Sequence, residues 1–146
     1  MVTVSQLETD VYVASQLTEK DFAALAARGI RSVVANRPDG EAEGQLPSAR
    51  AAETAKRHGI SFRYLPVASF DVTEEEAVAA QARALAELPG PVLFYCRTGN
   101  RSTILWAQAA APRLGAGAAM QRASRAGFDL AELREFIEAS AGALAA

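Results

Sequence analysis

The sequence predicts an α/β fold with a central, mostly parallel sheet of about four to five strands and helices on both faces. Short apolar runs alternate along the chain with longer stretches of helical periodicity, and this order favours parallel strands joined by crossover helices. Clusters of Gly, Asn, Asp and Pro follow several of the runs, as expected of turns. The run PVLFYC at 91–96 is almost wholly apolar, which is typical of a central strand buried on both faces.

Local signals place the first elements. Residues 10–15 (DVYVAS) alternate between apolar and polar side chains, which is typical of a half-buried edge strand. Thr18 and Asp21 form a capping-box pattern that begins a helix, and Gly29 ends it.

The middle of the chain repeats this order. A strand at 30–35 is followed by the turn 36–40, and an acidic, exposed loop at 41–45 leads to a helix between 47 and 59. The next strand is predicted at 61–67.

Helices dominate the second half. Thr73 and Glu76 predict another capping box, and Pro112 is expected to end the helix that follows the central strand. The predicted helices run over 74–88, 101–111, 116–125 and 130–140.

Composition excludes several classes of protein. The chain has 146 residues, half of them hydrophobic, and a net charge of −2, which predicts one globular domain spanning 1–146 and no nucleic-acid partner. No apolar run approaches the roughly 20 residues of a membrane span, and no secretory signal is seen, so a cytoplasmic location is expected. One cysteine cannot form an intrachain disulfide. The single histidine, His58, has no clustered ligands, so neither a metal nor a cofactor is expected.

The single cysteine, Cys96, stands where the central strand ends. Such a cysteine is often only a buried packing residue. Here a glycine turn, two arginines and a hydroxyl follow within six positions, and then a helix begins. A helix N-terminus and a nearby guanidinium both favour the thiolate, so the pattern predicts a nucleophile.

The surrounding residues predict an anion site. Arg101 can hold an oxyanion in a bidentate pair, or can orient the loop from below. Arg97 can attract anions, and Ser102 can bond the sulfur or cap the helix. Backbone N–H groups of the loop Arg97, Thr98, Gly99, Asn100 and Arg101 are expected to cradle the substrate.

Two more strand ends should share this edge of the sheet. Arg37 and Asp71 each follow a predicted strand, so the topology places them near Cys96. Asp71 can serve as a general acid or can simply be a solvated turn residue, and Arg37 can reach the crevice or form a surface salt bridge.

The segment YCRTGNRS at 95–102 resembles the active-site loop of cysteine-based phosphatases and rhodaneses. Together with the turn 36–40 and the tail AGFDL at 126–130, it is similar to the beta-lactamase-hydrolase-like, phosphatase-like domain family. That resemblance implies a fold like that of the dual-specificity protein tyrosine phosphatases. It also implies either phosphatase-like or sulfurtransferase chemistry.

Departures from the phosphatase pattern favour sulfur chemistry. Tyr95 replaces the histidine of that pattern, and four residues rather than five separate Cys96 from Arg101. We therefore expect a rhodanese-type sulfurtransferase that carries sulfur from thiosulfate or a persulfide, through a Cys96 persulfide, to a small thiol or cyanide. The alternatives are a cysteine-dependent phosphatase with Asp71 as acid, and a non-catalytic anion or persulfide sensor.

Overall fold

A five-stranded sheet runs through the centre of the molecule in the order β1-β2-β5-β3-β4. The computed structural model describes residues 2–143. β1 pairs antiparallel with β2, and all other pairs are parallel. The strand containing Phe94 is the third of five, so the predicted central strand is confirmed. The strands are β1 (Val4–Glu8), β2 (Val11–Ala14), β3 (Ser32–Ala35), β4 (Ser61–Tyr64) and β5 (Val92–Tyr95).

Helices cover both faces of the sheet, as the α/β prediction requires. The helices are α1 (Glu19–Ala27), α2 (Ser48–Arg57), α3 (Glu75–Glu87), α4 (Asn100–Leu114), α5 (Ala116–Arg125) and α6 (Arg134–Ala143), with 3₁₀ turns at Ser69–Asp71 and Ala131–Leu133. Within residues 2–143, none of these helices has both the length and the apolar character needed to cross a bilayer.

Side chains of β5 alternate between two hydrophobic cores. Phe94 packs with Trp106 of α4 in the core that also includes residues of α5 and α6. Leu93 and Tyr95 point to the opposite face, where they pack with Phe22 of α1. Burial on both faces explains why the strand reads as a nearly continuous apolar run.

The predicted edge strand lies one position further inside the sheet. Its residues form β2, which lies between β1 and β5 and buries Val11 and Val13. β1 was missed because Val4–Glu8 mixes polar and apolar residues, and only Leu7 is fully buried. A short edge strand carries a weak sequence signal since one of its sides has no neighbouring strand.

Three helices differ from the prediction at their ends. α6 begins at Arg134, four residues later than predicted, because a 3₁₀ turn occupies Ala131–Leu133. α3 begins at Glu75 with Glu74 as its N-cap and without a side-chain cap bond, so the predicted capping box of Thr73 and Glu76 is wrong. The Glu74 N–H donates to the Asp71 carbonyl in the preceding turn (3.2 Å). α4 continues through Pro112 to Leu114. A proline in the last turn removes one helical hydrogen bond but leaves the packing of the helix in place.

The carboxyl ends of the parallel strands finish level with one another. Ala14, Ala35 and Tyr95 lie in register across β2, β3 and β5, and Tyr64 of β4 lies level with Ala35. The segments that follow these strands therefore converge at one edge of the sheet.

Candidate active site

Cys96 lies at the base of this edge, one residue after β5. It is a free cysteine with 1% of its surface exposed. Its sulfur accepts a hydrogen bond from the Gly99 N–H at 3.1 Å, and α4 begins at the next residue, Asn100. An N–H donor and the positive end of a helix both stabilise negative charge on the sulfur.

Gly99 gives the loop its conformation. Its φ is +95°, and a Cβ at this position would lie 3.1 Å from Cζ of Phe128. The next amide, Asn100 N–H, donates to Oγ1 of Thr98 (3.2 Å). The backbone N–H groups of Arg97 and Thr98 have no hydrogen-bond partner within residues 2–143, so they are available to an anion.

Arg101 points back from the first turn of α4 into the site. Its Nη1 donates to Oε2 of Glu41 (2.9 Å) and to the Val67 carbonyl (3.0 Å), and its Nη2 donates to Oε1 of Glu41 (2.8 Å). The bonds to Glu41, together with a smaller effect of Cys96, raise the pKa of Arg101 above its usual value although burial opposes the rise. Arg101 thus connects the cysteine to two neighbouring loops.

Glu41 is shared between two arginines. Nε of Arg37 donates to Oε1 of Glu41 at 2.9 Å, and Nη1 of Arg37 donates to Oε1 of Gln16 at 3.2 Å. The two hydrogen bonds from Arg101, and then the single one from Arg37, lower the pKa of Glu41 to about 2 against the opposing effect of burial. The carboxyl group is therefore ionised at neutral pH.

A cleft of about 600 Å³ opens above the loop. It contains three arginines and one glutamate, a formal balance of +2, so it suits an anion. Its lining residues are Arg37, Glu41, Ala42, Ser69, Val72, Arg97, Thr98, Asn100, Arg101 and Ile104. Arg37, Arg97, Thr98, Asn100 and Arg101 were all assigned to the site from the sequence.

Asp71 does not line this cleft. The 3₁₀ turn places Ser69 on the cleft, whereas Asp71 is exposed and lines a separate groove with Glu74 and Tyr64. The strand-end loop reaches the cleft through Ser69 and Val72, but successive residues of a tight turn point in different directions, so Asp71 lines the neighbouring groove instead.

Ser102 is buried beneath the loop and neither caps α4 nor bonds the sulfur. Its hydroxyl donates to Oδ1 of Asn36 at 2.8 Å. Asn36 in turn exchanges two hydrogen bonds with Gln81 of α3, at 2.9 and 3.1 Å. This polar network ties α4 to the end of β3 and to α3.

Sequence reasoning missed Glu41, Gln16, Asn36 and Gln81 as parts of the site. Glu41 was assigned to an exposed acidic loop, although its spacing of four residues from Arg37 is a signal for an ion pair. Nothing in the local sequence indicates that Gln81 reaches Asn36, because 45 residues separate them.

The geometry supports nucleophilic chemistry on an anion. Cys96 supplies a sulfur stabilised by an N–H donor, while Arg101 and the unpaired loop N–H groups can hold oxyanion charge. Displacement at phosphorus and displacement at sulfur both need this arrangement.

Comparisons with known proteins identify the family. The model of the beta-lactamase hydrolase-like protein, phosphatase-like domain, matches residues 3–113. The beta-lactamase hydrolase-like protein of Xylella fastidiosa (strain Temecula1) is 35% identical over 95 residues, or 65% of this chain. The Agrobacterium fabrum protein of the same name is 34% identical over 94 residues, or 64% of this chain. The matched segment is only 22% of each curated relative.

Solved structures share the fold. A candidate phosphatase from Neisseria meningitidis Z2491 superposes with a TM-score of 0.82 at 30% identity, covering 93% of this chain and 96% of its own. A candidate phosphatase from Shewanella putrefaciens CN-32 has a TM-score of 0.73 at 17% identity, covering 97% of this chain and 91% of its own. PTPMT1, at 14% identity and a TM-score of 0.66, covers 98% of this chain and 99% of its own. The more distant two show the fold alone.

These matches correct the order of the functional expectations. They support an enzyme of the phosphatase-like, hydrolase type and lend no support to the rhodanese-type reading that the short loop favoured. Loop length alone was a weak discriminator because it says nothing about the groups that surround the cysteine. The chain belongs to the family of the phosphatase-like domain of beta-lactamase hydrolase-like proteins.

Proposed function

We propose that this chain is a cysteine-dependent phosphatase that hydrolyses phosphate monoesters through a Cys96 thiophosphate. The observation that carries the proposal is the Gly99 N–H bonded to the Cys96 sulfur beneath a cleft that contains three arginines. Such a site stabilises both the nucleophile and the phosphoryl oxygens.

The reaction divides into two displacements. The Cys96 thiolate attacks phosphorus and forms an S–P bond, while the ester P–O bond breaks and the leaving oxygen takes the electron pair and a proton. Water then attacks phosphorus, the S–P bond breaks, and inorganic phosphate and the thiolate are released. In both steps Arg101 and the loop N–H groups balance charge on the phosphoryl oxygens.

Two carboxylates near the cleft, those of Asp71 and Glu41, are the candidates for the proton donor. Asp71 is the predicted acid, but it lies outside the cleft. Glu41 lies inside the cleft but is ionised and bonded to two arginines. Esters with a good leaving group depend least on such a donor, so they should be the best substrates.

The position of Asp71 also favours a second candidate, the rhodanese-type sulfurtransferase. Here the thiolate attacks the outer sulfur of thiosulfate, the S–S bond breaks, and sulfite leaves with the electron pair without needing a proton. Cyanide or a small thiol then takes the outer sulfur from the Cys96 persulfide. The site of sulfur transfer would be the same cleft.

Parallel assays test the two chemistries. We expect the chain to release para-nitrophenolate from para-nitrophenyl phosphate, and Cys96→Ser to abolish this turnover. The control Glu43→Gln changes an exposed residue in the loop that borders the cleft and should leave turnover unchanged. If Asp71 is the acid, Asp71→Asn should slow an alkyl phosphate far more than the nitrophenyl ester.

Mass spectrometry separates the outcomes. A trapped phosphoryl group on Cys96 supports the phosphatase. A gain of one sulfur after thiosulfate, with thiocyanate formed from cyanide and no phosphate released, would replace it with the sulfurtransferase. Anion binding without turnover in either assay would refute both enzymes.

A further inference from the structure

The Arg101 guanidinium has one edge engaged and one edge open. A guanidinium has five N–H donors. Two Nη1 donors go to Glu41 and to the Val67 carbonyl, and one Nη2 donor goes to Glu41. Cys96 lies close enough to Arg101 to contribute to its raised pKa, whereas the Nε–H and the second Nη2–H donate to no carbonyl or carboxylate within residues 2–143. They lie on one edge of the planar group and form a fork that matches two oxygens of an oxyanion.

Glu41 is the group that holds Arg101 by two bonds at once. The Val67 carbonyl alone would leave the guanidinium free to rotate about a single hydrogen bond. A bidentate carboxylate fixes both the direction and the plane of the group. Arg101 is 8% exposed, so these bonds are partly shielded from water and should hold their geometry.

The carboxylate is itself fixed from the opposite side. Arg37 donates to the same Oε1 that accepts from Arg101, and Gln16 accepts from Arg37. Arg37 is 7% exposed. A series of contacts thus runs from the end of β2, through the loop after β3, to the first turn of α4.

We propose that Glu41 is a positioning residue for the cysteine site. It holds Arg101 so that the Nε and Nη2 edge is presented to the anion that reacts with Cys96, and Arg37 holds Glu41. The inference rests on the proposed function for the identity of that anion as a phosphoryl group. The geometric role applies equally to any oxyanion.

A competing role predicts the opposite result. If Glu41 only neutralised the cleft, its removal would increase the affinity for anions and leave the chemical step unchanged. A positioning role instead requires a side chain long enough to contact both Arg101 and Arg37. A carboxylate on a shorter side chain should therefore not restore activity.

Two variants separate reach from charge. Glu41→Asp keeps the charge but is one methylene shorter, so it cannot serve both arginines at the present distances. Glu41→Gln keeps the size but loses the charge, and its amide nitrogen cannot accept. Glu43→Gln is the matched control, because it removes an exposed carboxylate two residues further along the same loop.

Two measurements are made on each protein. The first is kcat and KM with para-nitrophenyl phosphate. The second is the rate of Cys96 alkylation by iodoacetate divided by that by iodoacetamide, which reports a correctly placed cation beside the sulfur and needs no phosphatase activity. Circular dichroism and thermal unfolding establish that each variant is folded.

We expect both Glu41 variants to lower kcat by about tenfold to a hundredfold, which is the cost of a misplacement of about 1 Å. The iodoacetate preference should fall in both, and Glu43→Gln should match the parent. Parent values in Glu41→Asp, together with tighter phosphate inhibition in Glu41→Gln, would overturn the positioning role. Parent values in both would overturn it as well.

The alkylation ratio keeps this inference separate from the proposed function. If the parent protein does not hydrolyse phosphate esters, the proposed phosphatase activity is refuted. A lower ratio of iodoacetate to iodoacetamide alkylation in both Glu41 variants would still support the positioning role. If the Glu41 variants do not fold, Arg37→Lys, which keeps the positive charge but lacks the planar fork that bonds both Glu41 and Gln16, must lower the ratio in the same direction by a smaller factor. An unchanged ratio there would refute the inference.

Discussion

Replacing Gly99 with alanine tests whether the shape of the cysteine loop controls its chemistry. The residue has φ +95°, a conformation that a residue with a Cβ resists at a cost of about 1–2 kcal/mol. The new Cβ would also lie 3.1 Å from Cζ of Phe128 and 3.5 Å from the Ala14 carbonyl. Phe128 is only half-buried and can shift by a few tenths of an ångström. The steric contact should therefore lower the free energy of unfolding by a further amount of about 0.5–1 kcal/mol.

Gly127→Ala is the matched control for this change. Its φ is +98°, but a Cβ there meets no atom within 4 Å. Both variants carry the same backbone strain and the same loss of unfolded-state entropy, so their difference isolates the contact with Phe128 and the effect on the loop.

Urea unfolding and cysteine reactivity provide the assays. The free energy of unfolding should fall by about 1 kcal/mol in Gly127→Ala, with activity at the parent level, and by about 2 kcal/mol in Gly99→Ala. Gly99→Ala should also slow both phosphate release and Cys96 alkylation by about tenfold or more, because the N–H that bonds the sulfur is displaced. Equal stability and equal reactivity in the two variants would refute the reasoning.

Two further predictions concern stability. Ser102→Ala should lower the free energy of unfolding in urea by about 1–2 kcal/mol, because Oδ1 of buried Asn36 loses its 2.8 Å donor. The control Ser124→Ala, at an exposed position, should lower it by less than about 0.5 kcal/mol. Equal losses in the two variants would contradict a stabilising role for the network. The native-state pKa of Glu41, about 2, lies below its ordinary value of 4.5, so its ion pairs stabilise the fold above pH 4.5 and are lost as the pH falls toward 2. Glu41→Gln should therefore flatten the decline in unfolding free energy over that window, and an unchanged slope would show that the pairs do not stabilise the fold.

The location of the candidate nucleophile was predictable from sequence because the signals are local. An apolar run, a glycine turn and a helical face lie within 16 residues around Cys96, and each has its own periodicity or turn chemistry. The parallel sheet follows from the alternation of strands and helices, which also brings Arg37 and Arg101 to one edge.

The partners of these residues could not be predicted in the same way. Glu41 lies 60 residues before Arg101, and Gln81 lies 45 residues after Asn36. Side-chain direction in a short turn is likewise not encoded by the order of strands, which is why Asp71 lies on a groove beside the cleft and not inside it.

The sequence by itself thus determined the fold class and predicted the candidate nucleophile and the arginines of the cleft, because these depend on patterns that span a few neighbouring residues. Only the tertiary structure decided that Arg101 is held by Glu41, that Ser102 serves a buried network, and that the candidate acid lies outside the cleft. Such contacts depend on how separate loops pack at the edge of the sheet. The distances between these loops decide which side chains can touch, and a local sequence pattern does not contain those distances.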